Sequence, residues 1–209
     1  MTAPTPDDLI KVADACCGLL DPVADRDWQV RAGDLDWSCR RTLEHLASLA
    51  FAPQLAMRAT TFRPLALRVA ADASVEQLLW TVQTMSHILA DVARAARPED
   101  RAFHPAGMAD PAGWLAMGMD ELLVHTHDVC LGLQIDFVPD DLAARIVLDR
   151  LFPWWPRQAA PAQALLWANG RASLPGLEDI GDTWLWHCAP LSEWDGTIPH
   201  SPKPGHSGR

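Results

Sequence analysis

The stretch PAGWLAMGMDELLVHTHDVCLGL, residues 111–133, constrains the fold more than any other part of the chain. Trp114, Leu115, Met117, Met119, Leu122, Leu123 and Val124 read as a buried helix. An apolar helix of that length holds in water only when other elements cover it. The chain supplies covers on both sides. Residues 6–20 place Leu9, Ile10, Val12, Ala13, Cys16, Leu19 and Leu20 at helical spacing, and Asp21-Pro22 ends the run. Ser38 stands where it would cap a second helix carrying CRRTLEHLASLAFAPQLAMRA. Arg41 occupies the capping-box position, so the full box is absent, and Pro53 predicts a kink or a shift of the last turns. Ser74 caps a third helix over 75–97, with Leu78, Leu79, Val82, Met85, Leu89 and Val92 on one stripe and Pro98 as its stop. The turn formers of RPEDRAFHPAGMADP predict a loop, and Pro139 opens a shorter helix over 140–151. Long amphipathic helices on modest loops predict a mainly α fold, a four-helix bundle.

Beyond LFPWWP the pattern changes. ALLWANGR and DTWLWHCAP are short, tryptophan-rich apolar runs around a segment containing Gly and Pro, and they predict two short strands or extended segments. The expected organisation is a bundle over 1–153, a small extended or β appendage over 154–195 packed on it, and a flexible tail over 196–209.

Composition narrows the partners. The 209 residues are 49% hydrophobic, enough for one well-packed domain. A net charge of −10 repels phosphate backbones and anionic lipid, so neither nucleic acid nor membrane is expected as a partner. The N-terminus is acidic and has no apolar h-region, which predicts a cytoplasmic protein. Cys16, Cys17, Cys39, Cys130 and Cys188 are odd in number and form no CxxC pair, which predicts reduced, buried thiols and no cysteine-held zinc.

Chemistry concentrates in DELLVHTHDV. On a helix, Glu121 and His125 share a face, Asp128 falls near the same line, and His127 points roughly 120° away. A carboxylate and an imidazole at i and i+4 can ligate one metal, with a facing helix bringing a third donor. His45, mid-helix in TLEHLASLA, is the candidate, with His87 as a possible fourth. Two histidines and one carboxylate leave an open position, the pattern of catalytic zinc. Nickel and ferrous iron suit the same donors. Asp128 would then orient a ligand or pair with Arg40 or Arg41. The ordinary alternatives stand beside this one: E-x-x-x-H pairs are common as solvated pairs, and a lone histidine such as His45, His104 or His127 is often structural.

The pairing of DWSCRRTLEHLA with GWLAMGMDELLVHTHDV resembles the mycothiol-dependent maleylpyruvate isomerase N-terminal domain family, within the DinB-like superfamily of metal-binding four-helix bundles. Trp37, Ser38 and His45 match its first motif, and Glu121, His125 and Asp128 its second, over about residues 6–152. The resemblance implies a divalent metal on His45, Glu121 and His125, and a mycothiol-like thiol acting on a small electrophile by S-transfer or cis–trans isomerisation. His127 and His87 are candidates for the acid or base, and Arg58, Arg63 and Arg68 for anion contacts. The segment after residue 155 departs from the family's C-terminal domain, which suits a different small electrophile. A non-catalytic metal- or ligand-binding bundle and a metal hydrolase are the other functional expectations, in a monomer or homodimer.

Overall fold

The computed structural model describes residues 3–61, 68–181 and 183–201. It is a mainly helical bundle. Helix α1 spans Pro6–Leu20, α2 Cys39–Ala47, α3 Phe51–Ala56, α4 Val75–Ala95, α5 Pro111–Leu133, α6 Asp141–Leu151 and α7 Pro161–Ala168. A small antiparallel hairpin, β1 Ala102–His104 and β2 Gly107–Ala109, lies between α4 and α5.

Local signals start the helices. Thr5 and Asp8 form a reciprocal capping box ahead of α1, with Pro6 in the first helical position. Ser74 and Gln77 do the same for α4, and the Ser38 hydroxyl accepts from the Arg41 N–H at the head of α2. Asp110 caps α5 and Asp140 caps α6. The segment after α2 breaks rather than kinks. Residues 48–50 leave the helix, and Pro53 sits in the first turn of α3, where its missing N–H interrupts no helical bond.

Helix α5 is the axle. Every residue from Gly113 to Asp120 and from Leu122 to Thr126 is buried. Helices α1, α2, α4 and α6 all pack against it, and α1 makes its most extensive contact with α4. Gly132 permits one close approach: a methyl there would run into the Arg31 carbonyl oxygen and the Cys39 sulfur. That contact fixes where α2 starts relative to α5. No described helix is long and apolar enough to cross a membrane.

The segment after α6 differs from expectation. ALLWANGR is not a strand: its first residues are the second half of α7, packed on α6. An apolar run this short fits either period, and Pro161 at the helix start with Gly170 just past its end decides for helix. The second run is extended, as expected. Arg150 donates to the carbonyls of His187 and Cys188, and Trp184 packs against Phe152. Residues 199–201 run alongside 183–185, with Leu185 N–H on Pro199 O and Ser201 N–H on Thr183 O. Residues 202–209 of the expected tail lie outside the described residues.

Candidate metal centre

One helical turn separates Glu121 from His125 on α5, and both face α2. His45 comes from the last turn of α2, about two turns past the Ser38 cap. The structure brings these three together: His45 Nε2 and His125 Nε2 each lie 3.1 Å from the same oxygen of Glu121. One donor atom from each residue lies within 4.8 Å of the other two, a spacing that one cation could bridge. Trp37 covers the pair, its ring 5.2 Å from His45 and stacked 6.4 Å from His125. The Arg41 guanidinium lies over the Trp37 ring, 5.2 Å from its centroid.

The protonation pattern suits a cation. His125 Nδ1 bonds Asp128 at 3.0 Å while Nε2 bonds Glu121. A ring bonded to carboxylates at both nitrogens donates from both, so without metal it is the imidazolium. Burial alone would lower its pKa, but the bonds to Asp128 and Glu121 outweigh burial and raise it to about 9. Burial likewise works against the Glu121 carboxylate, yet the two histidines hold its pKa well below the usual range. Positive charge is therefore favoured at the point where the three donors converge. A divalent cation would take the place of the shared protons.

Two further carboxylates on α5 flank the ligands, and residues beyond α6 satisfy both. Asp128 does not pair with Arg40 or Arg41. Arg40 is held by Glu44 at 3.0 Å and by the Ala73 carbonyl, on the side of α2 toward the 71–73 segment. Asp128 instead takes a two-pronged bond from Arg171, with Nε and one terminal nitrogen each 3.1 Å from a different carboxylate oxygen. Asp120 accepts from Asn169 at 2.9 Å and from the Trp186 indole at 2.8 Å. Burial and the nearby Glu121 charge still push its pKa up to about 7. The sequence LLWANGR places these groups. The Gly170 N–H bonds Trp167 O and the Arg171 N–H bonds Leu166 O, a Schellman turn that needs the left-handed φ of +68° at Gly170. The reversal turns Asn169 and Arg171 back onto α5.

A cavity of about 280 Å³ opens beside the three donors, walled by Trp37, Trp184, Trp186 and His104. A second, of about 530 Å³, shares Asn169, Arg171 and Trp184 with it and extends outward. His104, at the end of β1, is boxed by Phe51, Trp114 and Trp186. Its Nδ1 accepts the Ala106 N–H at 3.1 Å, which puts the ring proton on Nε2. Burial keeps the ring neutral, with a pKa near 4, against a smaller opposing pull from Glu121. Nε2 has no hydrogen-bond partner among the described residues.

The other candidates fall elsewhere. His87 is exposed on α4, and His127 is half-buried against the Phe137 backbone; neither lines either cavity. Arg58 pairs with Asp100 at 2.7 Å, Arg68 borders a separate groove beside Trp80, and Arg63 lies outside the described residues. Asp120, Asn169 and Arg171 were not singled out by the sequence, and His104 was read there only as an ordinary structural histidine. Only Asp120 carried a signal, a carboxylate inside an otherwise apolar run.

Compared with known proteins, the chain matches no family model, no curated protein and no solved structure.

Proposed function

We propose that this chain is a divalent-metal enzyme in which a low-molecular-weight, mycothiol-like thiol attacks a small electrophile, giving an S-conjugate or a cis–trans isomer. One observation carries the reading: two imidazoles and one carboxylate from two helices converge beside a cavity that adjoins a second, larger one. Two adjoining cavities suit two substrates better than one substrate and water. The choice of thiol rests on the motif resemblance around His45 and His125. The donors N, N and O favour zinc, and nickel or ferrous iron are the alternatives. A cation held there would supply Lewis acidity and keep a thiol sulfur as thiolate near neutral pH.

The chain's own residues do the rest. Asp128 fixes the His125 ring so that Nε2 faces the centre. Trp37 limits water over both imidazoles. His104 offers a neutral Nε2–H to an acceptor oxygen of the electrophile. Because its pKa lies near 4, it donates a hydrogen bond without being an imidazolium acid. Five buried free cysteines fit a reducing cytoplasm.

The test is elemental analysis of protein purified without chelators, followed by turnover assays with and without added thiol. Stoichiometric zinc, nickel or iron and thiol-dependent consumption of an electrophile are expected. Absence of metal, with unchanged melting on chelation, would overturn the reading. Turnover without thiol would convert it to a hydrolase.

A further inference from the structure

The segment beyond α6 touches the centre at one charged point, and that contact goes beyond packing. Asp128 uses one oxygen twice, for His125 Nδ1 at 3.0 Å and for Arg171 at 3.1 Å. Its other oxygen takes the Arg171 Nε. The Asp128 side chain is 3% exposed, so the carboxylate has little water to replace a lost partner. Arg171 in turn is held by the Asn169 carbonyl at 2.8 Å, and Asn169 reaches Asp120, the residue immediately before Glu121 on α5. The guanidinium also lies in the partition between the two cavities.

We propose that Arg171 is a positioning residue for the metal centre: its planar fork fixes the Asp128 carboxylate, which fixes the rotation of the His125 ring and so the aim of Nε2. The inference rests on the metal reading above. On this account the C-terminal segment is part of the site, and α5 with α2 alone makes a looser one. A free carboxylate rotates about its last bond, and a fork on both oxygens removes that freedom, which a single point charge does not. Removing an outer partner of a ligating histidine characteristically weakens metal binding by about 10- to 100-fold.

The test measures Zn²⁺ affinity of the metal-stripped full chain by competition with a chromogenic chelator, with far-UV circular dichroism to confirm folding. Arg171→Met should lower affinity by up to about 10-fold, because it acts one contact further out than the Asp128 carboxylate, whose own loss would cost about 10- to 100-fold. Arg171→Lys should restore thermal stability toward wild type while recovering only part of the affinity, because it neutralises Asp128 without gripping both oxygens. Ser173→Ala breaks a hydrogen bond to Asp179 in the same segment, two residues away, and should leave Zn²⁺ affinity unchanged. Equal affinity in wild type and both Arg171 variants would overturn the inference while leaving the metal reading intact. An equal loss in Ser173→Ala would also overturn it, by showing general loosening of the segment. A wild-type chain that binds no Zn²⁺ would overturn the metal reading itself, and this inference with it.

Discussion

Replacing His104 by Gln should flatten part of the acid sensitivity of folding. His104 is held neutral by burial among Phe51, Trp114 and Trp186, with a pKa near 4 against 6.5 for a free imidazole. Below pH 6.5 the unfolded chain takes up a proton that the folded ring refuses. Stability is therefore fully present above pH 6.5 and is lost as pH falls toward 4. Linkage between those two pKa values gives a loss of about 2 kcal/mol from pH 7 to pH 5, reaching about 3 kcal/mol at pH 4. Glutamine can keep the acceptor for the Ala106 N–H without titrating. Urea unfolding of wild type and His104→Gln, at pH 7 and pH 5, isolates this group because all other titrations cancel in the difference. The advantage of wild type over the variant should shrink by about 2 kcal/mol at the lower pH. Parallel stability profiles would refute the neutral, buried assignment, and with it the role of Nε2–H as a donor to substrate.

Three further outcomes are expected. His125→Ala should abolish stoichiometric metal binding, since two protein donors remain; full occupancy by elemental analysis would show that the ligands are assigned wrongly. Zinc loading at pH 7 should release about one proton, because His125 with a pKa near 9 is protonated in the metal-free chain; binding heats independent of buffer ionisation would contradict this. Gly132→Ala should destabilise the fold by about 1–3 kcal/mol in urea unfolding, because the added methyl meets the Arg31 carbonyl and the Cys39 sulfur; an unchanged midpoint would show that the segment before α2 yields.

The helices were legible because their punctuation is local. Pro6–Leu20, Val75–Ala95, Pro111–Leu133 and Asp141–Leu151 follow the expected spans closely, each bounded by a cap or a proline. The hairpin at 102–109 was hidden, since three residues per strand are too few for alternation to register. At the site, helical spacing placed Glu121 and His125 on one face, the motif resemblance singled them out together with His45, and the structure brings the three donors within reach of one another. Arg171 was not. Its partner Asp128 lies 43 residues earlier, and only the Schellman turn at Gly170, concealed by the strand reading of ALLWANGR, brings the two together. Arg40 and Arg41 were favoured by their place on the helix that carries His45, but they turn toward Glu44 and Trp37.

All five cysteines are free and buried, and burial pushes their pKa values up to between about 11 and about 12. At neutral pH roughly one in ten thousand or fewer of these sulfurs is ionised, so none attacks a disulfide at a useful rate. A catalyst handling small sulfur compounds would otherwise accumulate mixed disulfides on its own surface as those compounds oxidise. Under the proposed function the polypeptide would be chemically silent toward its thiol, and oxidative stress would deplete the soluble reagent before it disabled the protein.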